Sequence, residues 1–150
     1  MTRTLISVVG AVLAVASTGG IHSAQREQGN NSMHTRQIVE AYFGALQKKA
    51  GWQDALANDM VFTSYTSPVR HVSGKDAYLA ATERFYSTIA GFEVRQLVVE
   101  GEHAIALTHY TIQPPDGAPS FASDVAESFR VRGGKIVSFD IYFDTAPYPK

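Results

Sequence analysis

Ile38, Val39, Tyr42, Phe43 and Leu46 recur at helical spacing, which predicts an amphipathic helix over Met33–Lys49, with Ser32 or Thr35 as N-cap and Gly51 as stop. A short second helix is expected over Trp52–Asn58, followed by a strand over the β-prone run Met60–Tyr65. Thr66–Val72 contains Pro68 and reads as a loop. Ser73-Gly74-Lys75-Asp76 opens a third helix that carries Tyr78, Thr82, Phe85, Tyr86 and Ile89 on one face and ends at Gly91. Beyond it, Phe92–Glu100, Ala104–Gln113, Phe121–Arg132 and Ile136–Phe143 are rich in Val, Ile, Phe, Tyr and Thr and predict four strands. Helix, helix, strand, helix and four strands make an α+β chain whose helices pack on one face of an antiparallel sheet.

The last two strands permit a register argument. Glu127, Phe129 and Val131 alternate along one strand, and Val137, Phe139, Ile141 and Phe143 along the other. A two-residue Gly133-Gly134 turn would oppose Val131 to Ile136 and throw these stripes onto opposite faces. A three-residue Gly133-Gly134-Lys135 loop opposes Val131 to Val137, Phe129 to Phe139 and Glu127 to Ile141, so Glu127 is expected to face the helices. Ser128, Arg130, Arg132, Ser138, Asp140, Tyr142 and Asp144 then form the other face, solvated or buried in a polar dimer surface. In the preceding strand, Ile105, Leu107, His109 and Thr111 share one face and Ala104, Ala106, Thr108, Tyr110 and Ile112 the other, and both sets are mixed. With the odd-numbered set inward, the connection Pro114–Ser120 allows His109 to lie opposite Glu127 or Val125. An imidazole and a carboxylate would then meet beneath the helices.

Composition narrows the function. A chain of 150 residues that is 45% hydrophobic has enough apolar material for one domain with a true core. The net charge is -1, and no basic run exceeds Lys48-Lys49, so the electrostatic footprint of a nucleic-acid binder is missing and the expected partner is small or neutral. Without cysteine, disulfides, thiolate metal sites and cysteine nucleophiles are excluded. His103 and His109 stand six residues apart, ~20 Å in an extended strand, and do not share a metal ion. The opening MTRTLISVVGAVLAVAST, with Arg3, an apolar stretch Leu5–Ala16 and small residues after it, has the layout of a secretory signal. Residues 1–24 are therefore expected to be a signal peptide cut after Ala16 or Ala24, and the mature protein periplasmic or secreted. The apolar stretch is shorter than the ~20 residues of a spanning helix, so no stable membrane insertion is expected after cleavage. Residues 25–32 read as a flexible linker and 33–147 as the domain.

Several strings resemble the cone-shaped superfamily of nuclear transport factor two, and within it the SnoaL-like and ketosteroid-isomerase-like branch. They are IVEAYFGAL in the first helix, WQDALANDMVF across the second helix and first strand, GKDAY opening the third helix, and ESFRVRGGKIVSFDIYFD in the last hairpin. The resemblance covers roughly Thr35–Pro147 and implies a curved sheet with three N-terminal helices on its concave face and a homodimer through the outer sheet face. It also implies roles. Tyr42 falls where ketosteroid isomerases hold an oxyanion-hole tyrosine, and Glu127 where they keep a protonated aspartate. Their general-base aspartate aligns with Ser64, which cannot take a proton from carbon, so the steroid isomerase reaction as such is not expected.

Together these readings give His109, Glu127 and Tyr42 as the candidate catalytic set. The expected pocket around them is lined by Phe62, Ser64, Phe85, Leu107, Thr111, Phe129, Phe139, Ile141 and Phe143. Burial raises a carboxylic acid's pKa and lowers a histidine's, whereas direct pairing favours both charged forms. Under the first influence Glu127 is a neutral donor and His109 a neutral base; under the second Glu127 orients a protonated His109. Two functions stay open. One is an exported pocket protein that isomerises, dehydrates or cleaves a small apolar carbonyl or hydroxyl compound without cofactor or metal. The other is a non-catalytic ligand-binding or dimerisation domain whose pocket is filled by aromatic side chains, which a cavity below the ~300 Å³ usual for ligand sites would favour.

Overall fold

The computed structural model describes residues 19–66, 68–115 and 117–148, with side chains from residue 25 onward. Most of the segment expected to be a signal peptide, residues 1–18, lies outside the described residues. Helix α1 spans Gly19–Gln47, a 3₁₀ turn Trp52–Ala55, β1 Leu56–Ser64, β2 Arg70–Ser73, α2 Lys75–Thr88, β3 Ile89–Glu100, β4 His103–Ile112, β5 Phe121–Arg132 and β6 Lys135–Phe143. The strands form one sheet in the order β2-β1-β6-β5-β4-β3. Neighbours are antiparallel except β1 and β6, which run parallel, so the sheet is mixed rather than wholly antiparallel. Among the described residues no helix is long and apolar enough to cross a membrane.

Four local expectations are corrected. Residues 25–32 are helical rather than a loose linker: once α1 is nucleated and docked, each added residue costs little, and Gln25-Arg26-Glu27-Gln28 favour the helix. Ser32 and Thr35 are consequently inside α1, not at its start. Their hydroxyls clasp the β3–β4 turn instead, Ser32 Oγ accepting from the Gly101 N–H at 2.8 Å and Thr35 Oγ1 donating to the Gly101 carbonyl at 2.7 Å. The second helix shrinks to the single 3₁₀ turn, because Leu56 and Met60 are drawn into the sheet layer and buried. The expected loop Thr66–Val72 contributes an edge strand, with Pro68 just ahead of it where no ladder donor is needed.

The final hairpin reaches the expected pairing by a different route. Gly133 and Gly134 have φ of 58° and 75°, the conformation of a two-residue turn, and Val131 does oppose Ile136. A bulge between Arg130 and Val131 then absorbs one residue, so Phe129 opposes Phe139 and Glu127 opposes Ile141. Phe129 and Phe139 stay under the helices with Glu127, while Ile136 takes the buried place expected of Val137.

Strand β4 is turned the other way from the expectation. Its even-numbered residues Ala104, Ala106, Thr108, Tyr110 and Ile112 are buried, while Ile105 and Leu107 are 49% and 42% exposed on the outer face. The cause is shared volume. Tyr42 and Phe43 of α1 pack in one core cluster with Ala104, Ala106 and Phe129, and two small residues on the sheet leave room for those rings where Ile and Leu would not.

Candidate functional site

The inner face closes into two cores. Around Tyr42 the rings of Phe43, Trp52, Phe129 and Phe139 approach edge-on at 5.2–6.1 Å, a well-filled aromatic interior. Between α2 and the sheet the packing is incomplete, and a cavity of about 190 Å³ remains. Phe62, Phe85, Phe139, Ile141 and Phe143 supply much of its apolar wall. Its polar residues are Ser64, Thr82, Glu127, Arg70 and the tyrosines 78, 86, 110 and 148.

Glu127 is the chemical centre of this wall. Only 3% exposed, it accepts hydrogen bonds from Thr108 Oγ1 to Oε2 at 2.6 Å and from the Tyr110 hydroxyl to Oε1 at 2.9 Å. Burial pushes its pKa up from the ordinary 4.5 to about 7, against the opposing pull of the Thr108 and Tyr110 bonds. It is therefore mainly a neutral acid below neutrality, able to donate to a carbonyl, and a carboxylate above it, able to accept from a hydroxyl or take a proton.

A second chain of hydroxyls runs beside it. Tyr86 hydrogen-bonds Tyr42 at 3.0 Å and also Tyr78, so α1 and α2 are tied by the phenols of buried Tyr42 and Tyr78 and half-buried Tyr86. Burial pushes all three pKa values up, with neighbouring phenols raising those of Tyr42 and Tyr78 further, and the groups stay protonated donors. Tyr42 is fully buried and stands behind the cavity wall rather than on it, its hydroxyl bonded to that of the lining Tyr86.

Of the residues expected to line the pocket, Phe62, Ser64, Phe85, Phe139, Ile141 and Phe143 do so. Phe129 does not, being stacked on Phe139 at 4.7 Å inside the core. Leu107 and Thr111 lie on the outer face with the other odd-numbered β4 residues, and so does His109. The expected meeting of His109 with Glu127 is not made. In β4–β5 pairing Glu127 opposes Ala106 and His109 opposes Asp124, a register in which odd residues of one strand face even residues of the other. His109 Nδ1 lies 2.6 Å from Asp124 Oδ1, and Arg95 reaches the same oxygen at 3.1 Å. The His109 bond and the Arg95 charge, with His109's own charge, hold the Asp124 carboxyl below the usual aspartate range. Ser64 shares its hydroxyl with Thr66 at 3.0 Å and, among the described residues, bonds no base.

Thr108, Tyr110, Tyr78, Tyr86 and Arg70 were not singled out from sequence. For Tyr78 and Tyr86 the signal existed, since they share the apolar face of α2 with Phe85; for Thr108 and Tyr110 it required the parity of β4.

The model of the SnoaL-like domain matches residues 39–139. Three solved structures are similar over most of their length. An NTF2-like protein of unknown function from Burkholderia pseudomallei is 24% identical, with 76% of this chain and 93% of that chain covered and a TM-score of 0.66. A candidate SnoaL-like polyketide cyclase from Jannaschia is 16% identical, covering 79% and 95%, with a TM-score of 0.66. A protein of ketosteroid isomerase-like fold from Catenulispora acidiphila, in complex with trimethylamine, is 20% identical, covering 70% and 83%, with a TM-score of 0.58. No curated protein matches the chain.

Proposed function

Because this chain belongs to the SnoaL-like domain family, we propose that its cavity binds a small, mostly apolar molecule carrying one carbonyl or hydroxyl oxygen, with Glu127 as the polar anchor. The observation that carries this reading is a carboxyl with a pKa near 7 set in an otherwise largely apolar wall. The volume sets the scale. A cavity of about 150 Å³ takes a benzene ring, so 190 Å³ suits one ring with a short substituent and is too small for a polycyclic substrate. That volume lies below the ~300 Å³ of ordinary ligand sites, which limits any ligand to a single ring and weighs toward the non-catalytic alternative over turnover. Among the described lining residues Glu127 alone changes charge near neutral pH, so an acid-base step here, an isomerisation or dehydration without cofactor, would use it without His109.

Acetophenone titrated into the protein tests the reading. Binding is expected to be about tenfold tighter at pH 5.5, where Glu127 donates to the carbonyl, than at pH 8.5. Glu127→Gln, whose amide donates at either pH, should remove that dependence. Equal affinity at both pH values in the unaltered protein would overturn the anchor role.

Two further proposals accompany it. The exposed Val98, Ile105, Leu107 and Tyr142 on the outer sheet face support a homodimer there, and a monomer mass in solution would contradict it. The signal-like layout of residues 1–24 supports export to the periplasm or beyond; retention in the cytosol on cell fractionation would contradict that.

A further inference from the structure

One charged side chain at the cavity is not used by the anchor. The β1–β2 pairing sets Arg70 beside Ser64, and the pleat of β2 sends Arg70 and Val72 to the cavity while His71 bonds Thr63 on the other side at 3.3 Å. Arg70 is exposed, so it stands at the cavity's solvent side, whereas Glu127 is buried in its wall. The other polar groups are largely committed to neighbours: Ser64 to Thr66, Thr82 to the Tyr78 carbonyl, Tyr110 to Glu127 and Tyr148 to Ser123. Among the described residues Arg70 makes no ion pair, while three of the other described arginines at the sheet, Arg95, Arg130 and Arg132, each meet an acid.

Resting on the ligand-binding reading above, we infer that the pocket selects a single-ring carboxylic acid, its ring among Phe62, Phe85 and Phe143 and its carboxylate at the rim on Arg70. A guanidinium is a planar fork suited to a carboxylate. This orientation also keeps the ligand's negative charge away from Glu127, which a reversed pose would bring against a second acid. The neutral end of the ligand, a carbonyl or hydroxyl, then points inward to Glu127.

The experiment compares 4-acetylbenzoate with acetophenone, which differ only in the carboxylate, by calorimetric titration at low salt. The acid is expected to bind at least tenfold tighter, Arg70→Gln to bring the ratio of the two affinities close to one, and Arg70→Lys to keep part of it. Added salt should erode the advantage, since the Arg70 pairing is at the surface. If acetophenone binds and the acid binds no better, or if Arg70→Gln keeps the advantage, the inference fails while the pocket reading survives. If neither compound binds, both fall.

Discussion

Glu127 and Asp124 stand three residues apart on β5, so the pleat sends them to opposite faces of the sheet, and the same functional group acquires opposite character. Asp124 is open to water and held by His109 and Arg95, and its pKa drops. Glu127 is enclosed by rings and held by two neutral hydroxyls, and its pKa rises to about 7. Hydrogen bonds are present on both sides; solvent makes the difference. Neutral donors inside do not repay the loss of water, whereas outside the carboxylate keeps its hydration and gains cations. A carboxyl that retains its proton near neutral pH is useful in a pocket, and one that has lost it is useful as a surface tether.

The largest effect that sharpens this contrast is on stability. Because the folded pKa of Glu127 is above the unfolded one, its contribution is fully present below pH 4.5 and is lost as pH rises to about 7. A shift of this size corresponds to about 3 kcal/mol. Urea unfolding at pH 5 and pH 8 should show that loss in the unaltered protein and not in Glu127→Gln, and parallel profiles would break the contrast. Asp124 has the opposite sign, its contribution being lost as pH falls through the carboxylate range, and Asp124→Asn should leave the loss between pH 5 and 8 in place. A smaller effect is expected from Tyr110→Phe, which removes a donor to Glu127 and costs about 1 kcal/mol. Since that donor favours the carboxylate form, the variant should also move the pH at which Glu127 ionises upward. A Tyr110→Phe protein in which Glu127 ionises at lower pH would mean that the bond holds the neutral acid instead.

The two hairpins that flank β5 explain how much of this was legible in the sequence. Between β5 and β6 the connection is two glycines, and the stripes Phe129–Glu127 and Phe139–Ile141 are strongly apolar apart from the acid. The demand that both stripes be covered fixed the pairing of Phe129 and Glu127, whereas the bulge in place of a longer loop, and with it Ile136 rather than Val137 opposite Val131, was missed. Between β4 and β5 the connection is long and proline-containing, and both faces of β4 mix apolar with polar residues, so neither turn chemistry nor pattern fixes the register. The odd-numbered set, Ile105 and Leu107 among it, is the one taken inward when His109 is paired with Glu127. What turned them outward was the size of Tyr42 and Phe43 on α1, a tertiary property that a strand's own sequence does not carry. That single change of parity took His109, Leu107 and Thr111 out of the pocket, put Tyr110 on its wall and brought the Thr108 hydroxyl onto the Glu127 carboxyl. The SnoaL-like fold itself, and the inward Glu127, did not depend on it.

Glu127 keeps its proton to near-neutral pH beneath the helices while His109 lies outside. Carbon-13 NMR of the Glu127 side-chain carboxyl, assigned by its disappearance in Glu127→Gln and followed from pH 3 to 9, tests it most directly. The midpoint is expected near 7. A midpoint near 4.5, the value of a carboxyl in water, would contradict it.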